Sequence, residues 1–208
     1  MFVLGLTGSI GMGKTWGAHC FRLFGVPVHD ADACVHRLMA VGGRASQQVE
    51  RLFPKVLKSD GGVDRQKLAG YVLGDDAALI RLENLLHPLV HQDQRQFLQV
   101  CQRRRMAMVV LDIPLLYETN AHTRVDAVVV MSASRQIQRQ RVLHRPGMNA
   151  HKFEAIAQRQ IENTIKCRLA DHIVTTGTTR GQSLRQIAKI VKVCKHQKGH
   201  VWGPHWGH

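Results

Sequence analysis

The feature that most constrains the fold is a glycine-rich segment near the start of the chain. An apolar run without helical period occupies residues 2–6, and a helical pattern extends from the glycines to about residue 24. Between them stands the segment Gly8-Ser9-Ile10-Gly11-Met12-Gly13-Lys14-Thr15. It matches the pattern G-x-x-x-x-G-K-[ST] in the order strand, loop, helix that confirms such a match. The segment therefore predicts a phosphate-binding loop in an α/β fold.

The residue types of this loop suit a nucleoside triphosphate bound with Mg²⁺. Glycines allow the backbone to turn its N–H groups toward a phosphate, and the helix N-terminus adds the positive end of its dipole. Lys14 is expected to reach the β- and γ-phosphates, and the Thr15 hydroxyl to coordinate Mg²⁺. A glycine-rich turn that binds nothing would explain neither Lys14 nor Thr15.

Strand-like and helix-like segments alternate along the rest of the chain. Residues 43–105 contain no strand signal, but Asp64 and Asp75 are expected to cap helices there, and Pro88 to open a further helix. The pattern predicts a three-layer α/β/α fold, with a five-stranded parallel sheet and an inserted helical lobe. The further apolar runs are residues 26–29, 108–111, 125–131 and 173–174.

Carboxylates stand at the predicted carboxyl ends of two strands. Asp30 and Asp32 follow the second apolar run, and Asp112 ends the third. Ligands bind beyond the carboxyl ends of such strands, so Asp30 or Asp32 is expected to deprotonate an acceptor hydroxyl that faces a γ-phosphate. Asp112 resembles a Walker B carboxylate that holds Mg²⁺ through water. Each of the three also fits a helix cap or an Asx turn, and these residues alone do not choose between Asp30 and Asp32.

The chain is strongly basic, with 29 Lys and Arg against 15 Asp and Glu. Residues 1–123 carry a net charge of +3, and residues 124–208 carry +11. Such a surface attracts nucleic acid, an anionic membrane or a phosphorylated small molecule, and charge alone does not separate these partners. The basic residues are not interleaved with aromatic side chains, which disfavours single-stranded nucleic acid. Arg141 and Arg145 share a helix face just before Pro146, which suits a lid that closes over a triphosphate.

Other features narrow the class of protein. No stretch approaches the roughly 18 apolar residues of a membrane span, and no signal peptide is evident, so we expect a cytoplasmic protein without a membrane partner. Five widely spaced cysteines without a Cys-x-x-Cys pair argue against a disulfide framework or a zinc knuckle. The tail, residues 195–208, is expected to be a flexible appendage in which His200, His205 and His208 form only a weak metal pattern.

Several segments recur together in one enzyme family. They are the loop from Gly5 to Thr15, Asp30-Ala31-Asp32, Leu86-His87-Pro88-Leu89, Asp112-Ile113-Pro114-Leu115-Leu116-Tyr117-Glu118, the Arg141 and Arg145 pair, Gln160 and Ala170-Asp171. With them the chain resembles the dephospho-CoA kinase family over about residues 1 to 193. Three sites depart from the family pattern. They are Trp16 in place of a small or β-branched residue, His91 in place of an Arg that often follows His-Pro, and Thr175-Thr176-Gly177 in place of Asp-Asn or Asp-Thr.

The resemblance implies a phosphotransferase with an alcohol acceptor. Its donor would be ATP with Mg²⁺, and its acceptor the ribose 3′-hydroxyl of dephospho-CoA. It implies one domain over residues 1–194. That domain would comprise a nucleotide core (about 1–35, 106–137 and 169–194), a helical acceptor lobe (about 36–105) and a lid (about 138–168).

The resemblance also implies roles for single residues. Asp32 would be the catalytic base, with Lys14 and Arg141 stabilising the transferring phosphoryl group. The expected metal-binding residues are Thr15 and Asp112. The expected nucleotide-binding residues are Gly8, Ser9, Ile10, Gly11, Met12, Gly13, Lys14, Thr15, Arg141 and Arg145. The expected acceptor-site residues are Asp32, His87, Leu115, Leu116 and Glu118.

Two other functions share parts of this pattern. Another P-loop kinase, acting on a nucleoside or nucleotide, would have the same loop and lid but a different acceptor pocket. A non-enzymatic P-loop protein that binds nucleic acid would use the basic second half, and its affinity for RNA would fall steeply with salt. Our expectation is a small-molecule enzyme without a nucleic-acid partner, either a monomer or a weak homo-oligomer.

Overall fold

The computed structural model describes residues 1–203 and 206. The described backbone forms two compact units: Met1–His29 joined with Leu98–His208, and Asp30–Phe97. The acceptor lobe predicted from sequence, about residues 36–105, overlaps the second unit, and its role stays a prediction. Within the described residues no helix combines the length and the apolar character that a membrane span requires.

Strands and helices follow one another as the alternating pattern predicts. The strands are β1 (Phe2–Thr7), β2 (Val28–Asp30), β3 (Met108–Asp112), β4 (Ala127–Ser132) and β5 (His172–Thr175). The helices are α1 (Lys14–Leu23), α2 (Ala31–Leu38), α3 (Ser46–Leu52), α4 (Arg65–Val72), α5 (Asp76–Arg103), α6 (Arg135–Leu143), α7 (Ala150–Gln158), α8 (Asn163–Leu169) and α9 (Arg180–Cys194). A 3₁₀ turn covers Ala121–Arg124.

The five strands form one sheet in the order β2-β3-β1-β4-β5. β1 runs parallel to β3, with Leu6 opposite Asp112, and parallel to β4, with Leu4 opposite Ala127. β4 in turn runs parallel to β5. The predicted α/β fold is confirmed, and its central strand is the one that leads into the glycine-rich loop.

The central strands are buried on both faces. Every residue of β1 and of β3 is buried, which explains their uninterrupted apolar sequence, because helices cover both sides of such a strand. Gly17 on α1 permits close packing against β4, since a Cβ there would lie 2.7 Å from Sδ of Met131. The core cluster of this unit includes Leu4, Phe21, Val110, Met131 and Ile187.

The second unit is helical and has its own core. Asp64 accepts hydrogen bonds from two backbone N–H groups in the first turn of α4, and Asp75 accepts one from the N–H of Ala78. Both predicted helix caps are therefore present. The core cluster of this unit includes Val49, Phe53, Leu68, Leu82 and Leu86.

The long helix α5 differs from expectation. Pro88 was expected to open a new helix, but it lies inside one continuous helix of 28 residues. A proline removes one backbone hydrogen bond in a helix interior. The helix continues past it because Leu82, Leu86 and Val90 recur every four residues and all three are buried.

The described part of the C-terminal tail packs against the rest of the first unit. Trp206 is 5% exposed, its indole N–H donates to the carbonyl of Arg124 at 3.0 Å, and the Arg124 guanidinium lies 5.9 Å from its ring centroid. These contacts hold a segment for which sequence predicts flexibility. Of the proposed weak metal pattern, His205 and His208 lie outside the described residues.

Asp126 ties the tail to the first strand. One carboxylate oxygen accepts a hydrogen bond from the backbone N–H of Val3 at 2.7 Å. The other accepts from the N–H groups of His200 and Val201, at 2.6 and 2.9 Å. A single side chain thus joins the start of β1 to residues 200–201.

We expect Trp206→Ala to lower the free energy of unfolding by about 3 kcal/mol, because it removes a large buried ring and a hydrogen bond. Urea unfolding of the full chain measures this loss. Val193→Ala, at a side chain that is 51% exposed, is the control and should leave the midpoint unchanged. Equal midpoints for Trp206→Ala and the wild type would mean that the tail is detached in solution.

Candidate functional site

The glycine-rich loop joins β1 to α1 in a conformation that only glycine adopts easily. Gly11 and Gly13 have φ of 77° and 87°, in the left-handed region. A Cβ on Gly11 would also lie 2.7 Å from Cγ2 of Val142 and 3.0 Å from the carbonyl oxygen of Gln138. The missing side chain therefore lets α6 approach the loop backbone closely.

Two glutamines hold the loop at Ile10. The backbone N–H of Ile10 donates to Oε1 of Gln160 at 2.9 Å, and its carbonyl accepts from Nε2 of Gln138 at 2.8 Å. Gln138 belongs to α6, and Gln160 follows α7. The segment predicted as a lid, about 138–168, is thus hydrogen-bonded to the loop at two points, from α6 and from the residues that follow α7.

Lys14 and Asp112 form an ion pair at the end of the central strands. Lys14 Nζ lies 2.7 Å from Asp112 Oδ1, and the two side chains are 17% and 2% exposed. The pair forms because Asp112 ends β3, which neighbours β1 in the sheet. The next residue, Thr15, is exposed. A carboxylate and a hydroxyl are oxygen ligands of the kind that Mg²⁺ takes, so Asp112 and Thr15 fit the expected metal.

Arg141 is fixed against the loop by Thr176. Its guanidinium donates to the hydroxyl of Thr176 at 2.9 Å, to the carbonyl of the same residue, and to the carbonyl of Gly11 at 3.4 Å. The Thr176 hydroxyl donates in turn to the carbonyl of Met12 at 2.8 Å. Thr176 thus connects the end of β5, the loop and α6 through one buried side chain.

A cavity of about 560 Å³ opens beside the loop on this side. Among the described residues, three guanidinium groups line it and no carboxylate does, so the cavity favours an anion. Its other walls include the aromatic ring of Trp16. The lining residues are Gly11, Gly13, Thr15, Trp16, His19, Arg141, Arg145, Thr176, Thr178, Arg180 and Ser183.

A second cavity of about 460 Å³ lies where Ser9 and Met12 meet α6, α7 and α8. Its lining is mixed, with the apolar side chains of Phe153 and Ile161 beside polar Asn163. The Ser9 hydroxyl is buried and has no hydrogen-bond partner among the described residues. Both cavities therefore border the glycine-rich loop from within the first unit.

The segment after β3 carries residues predicted for the acceptor site. Leu115 is half-buried and Leu116 fully buried. Burial, followed by the charge of Asp171, raises the pKa of Tyr117 to about 12, so its phenol stays protonated at neutral pH. The segment is held to β1 by the Thr7 hydroxyl, which donates to the carbonyl of Pro114 at 2.9 Å.

Glu118, at the end of this segment, is paired with a buried lysine. Lys166 Nζ lies 2.7 Å from Oε1 of Glu118, and the lysine side chain is 0% exposed. The same oxygen accepts the backbone N–H of Ile161 at 2.9 Å. Oε2 is buried and has no hydrogen-bond partner among the described residues. Glu118 therefore fastens the turn before α8, and its role toward an acceptor stays a prediction.

Three candidates lie in the second unit. Asp30 accepts a hydrogen bond from the backbone N–H of Ala33 at 2.9 Å and so caps α2. Asp32, in the first turn of α2, is exposed. His87, also exposed, stacks on His91 with ring centroids 6.5 Å apart. The carboxylate of Asp30 is thus engaged in a cap, and that of Asp32 projects from the first helical turn.

Sequence reasoning overlooked the positioning role of several of these side chains. Thr176 was noted only as a departure from a pattern, although its place directly after the last strand is a usual ligand position. Gln138 carries no local signal, because its partner Ile10 is 128 residues away. Lys166 in turn has its carboxylate partner on a different element of the chain.

Comparison with known proteins gives a consistent result. The chain matches the family model described as dephospho-CoA kinase over residues 2–180. A dephospho-CoA kinase from Mesorhizobium japonicum is 48% identical over 199 residues, which are 96% of this chain and 100% of that protein. One from Paramagnetospirillum magneticum is 52% identical over 161 residues, 77% of this chain and 76% of that protein.

Solved structures share the fold. A protein from Thermus thermophilus has a TM-score of 0.79 at 29% identity, covering 92% of this chain and 96% of its own. Dephospho-CoA kinase from Campylobacter jejuni has a TM-score of 0.69 at 22% identity, covering 91% and 95%. The second likeness, at lower identity, concerns the fold alone.

We expect Lys166→Met to lower the free energy of unfolding by about 3 kcal/mol, because it leaves the Glu118 carboxylate without its cation. The double variant Glu118→Gln/Lys166→Met should lose less than the sum of the two single variants. Urea unfolding of the wild type, the two single variants and the double variant gives the coupling energy.

The exposed pair Arg135 and Glu154, 3.8 Å apart with side chains 83% and 47% exposed, is the matched control. Arg135→Ala should change stability by less than about 0.5 kcal/mol. Additive effects of the Glu118 and Lys166 variants would contradict the coupling.

Proposed function

This chain belongs to the dephospho-CoA kinase family, and we propose that it transfers the γ-phosphoryl group of ATP to the ribose 3′-hydroxyl of dephospho-CoA. The products are coenzyme A and ADP. The observation that carries the proposal is the cluster at the glycine-rich loop. There Lys14 pairs with Asp112 and Arg141 donates to the loop carbonyl of Gly11, in a member of this family.

Phosphoryl transfer requires positioning and neutralisation of charge more than covalent chemistry. Loop N–H groups and the Lys14 ammonium bind the β- and γ-phosphates of ATP. Arg141 stabilises the charge on the transferring group, and Thr176 keeps its guanidinium in place beforehand. Such preorganisation lowers the barrier because the guanidinium does not have to be reoriented during the reaction. Arg145 adds a second positive charge to the wall of the cavity.

The expected metal would be held by the Thr15 hydroxyl and, through water, by Asp112. Held there, Mg²⁺ would supply positive charge that neutralises the phosphates. The Lys14 ammonium, 2.7 Å from Asp112, is kept at the loop and does not reach into solvent. Thr15 and Asp112 thus serve the same phosphates as Lys14.

Asp32 is the base in this proposal. The proton of the 3′-hydroxyl moves to the Asp32 carboxylate as the oxygen attacks the γ-phosphorus and ADP leaves. Two observations support Asp32 over Asp30: its side chain is exposed, and that of Asp30 accepts the capping hydrogen bond of α2. In the same proposal the acceptor also contacts His87 and the segment 115–118.

Further parts of the proposal concern the regions and the setting. The second unit acts as the acceptor lobe and residues 138–168 as the lid. The enzyme acts in the cytoplasm on a small molecule, as a monomer or a weak homo-oligomer. The strongly basic second half then serves the phosphates of donor and acceptor, and no nucleic acid is needed.

The test is formation of ADP from ATP and Mg²⁺ with dephospho-CoA as acceptor. Adenosine, nucleoside monophosphates and a mixture without acceptor are run in parallel, and the mass of the product is measured. Turnover with dephospho-CoA alone, with a product heavier by one phosphoryl group, is expected. Turnover with a different acceptor would contradict the proposed substrate.

We expect Asp32→Asn to lower kcat about 1000-fold, because an amide cannot accept the hydroxyl proton. The affinity for ATP should stay within about twofold, since the loop and Lys14 are unchanged. Steady-state kinetics and calorimetric titration with ATP measure the two quantities.

Asp30→Asn is the matched control. Asparagine caps helices as well as aspartate does, so this variant keeps the cap of α2 and should keep most of the activity. The opposite result, with Asp32→Asn active and Asp30→Asn inactive, would assign the base to Asp30.

A further inference from the structure

An arginine at the start of α9 lies on the indole of Trp16. Cζ of Arg180 is 5.1 Å from the ring centroid of Trp16, a distance typical of a cation–π contact. The indole is itself fixed, because its N–H donates to the Ser183 hydroxyl at 3.1 Å and its ring lies 5.4 Å from that of His19. Trp16 thus forms a support for the guanidinium plane.

This pair belongs to the cavity beside the loop. The lining of this cavity has two parts. Gly11, Gly13 and Thr15 belong to the phosphate-binding loop, and Trp16 and Arg180 lie outside that loop. A nucleotide has the same two-part character, with an anionic chain joined to a flat aromatic base. A cavity of about 560 Å³ is in the range that small-molecule sites occupy.

Arg180 is poorly placed for a purely structural role. It is the first residue of α9, where the positive end of the helix dipole disfavours a cation. The side chain is exposed, and within the part of the chain that the structure describes no carboxylate lines the cavity around it. Trp16 lies on the guanidinium, and Arg180 lines the cavity that borders the loop.

Thr176, directly after β5, has little left with which to read a base edge. The hydroxyl of Thr176 is engaged by Met12 and Arg141, and its carbonyl accepts from Arg141. Recognition of the base through its face does not need these groups, because every nucleobase has a π-face that a guanidinium can stack on.

We propose that Arg180, supported by Trp16, is the base-stacking residue of the nucleotide donor site. Trp16 acts on the donor through Arg180 and is a positioning residue. This inference rests on the proposed function, since it assigns the base of the same ATP whose phosphates Lys14 binds.

The test is calorimetric titration of the full chain with Mg²⁺, without acceptor, against ATP and against inorganic tripolyphosphate. Tripolyphosphate carries the phosphates but no base. Arg180→Ala is expected to raise the Kd for ATP about tenfold and to leave that for tripolyphosphate within about twofold. Arg180→Lys, which keeps the charge and loses the plane, should recover only a small part of the loss.

Arg185→Ala is the matched control, because Arg185 is an exposed arginine of the same helix that does not line the cavity. It should bind both ligands like the wild type. Trp16→Phe retains a ring under the guanidinium and should stay within about threefold for ATP, whereas Trp16→Leu should approach Arg180→Ala.

Three results would overturn the inference. They are an unchanged Kd for ATP in Arg180→Ala, an equal loss for ATP and tripolyphosphate, and full recovery in Arg180→Lys. The last two would make Arg180 a phosphate contact. Because binding is measured without acceptor, a failure of dephospho-CoA turnover leaves this readout intact, and the two proposals fail separately.

Discussion

The close approach of α6 to the glycine-rich loop is the contact on which the donor side of this molecule depends. Gly11 permits it, since a Cβ there would meet both Val142 and Gln138. With the helix that near, Gln138 reaches the carbonyl of Ile10 and Arg141 reaches Thr176. One absent side chain therefore sets the distance between the loop, the helix that carries the arginine and the end of β5.

The parts of the fold that sequence predicted are those with a local signal. Residues adjacent in sequence are enough to recognise the loop from Gly8 to Thr15 and the buried strands, because strand burial and loop geometry directly restrict the residue types. Asp112 was found as well, since it ends an apolar run. A continuous α5 was not predicted, because the cost of Pro88 is local, whereas the packing that offsets it comes from the whole buried face of the helix.

The parts that sequence missed depend on distant partners. Thr176 and Met12 are 164 residues apart, and Gln138 and Ile10 are 128 apart. No pattern within a window of the chain contains such a pair. The excess of positive charge is visible in the sequence, but the sequence does not show which basic side chains lie together in space. Only the fold shows that Arg141, Arg145 and Arg180 line one cavity, while Lys166 is buried in an ion pair.

The position of β1 has a consequence for how the chain is made. β1 is synthesised before the other strands of the sheet and is its middle strand, yet its two neighbours, β3 and β4, begin only at Met108 and Ala127. The carboxylate that receives the N–H of Val3 belongs to Asp126. On the ribosome, the glycine-rich loop is therefore synthesised long before the sheet that fixes its conformation can form. Contacts this distant slow folding, so β1 stays apolar and unpaired until β3 and β4 have emerged.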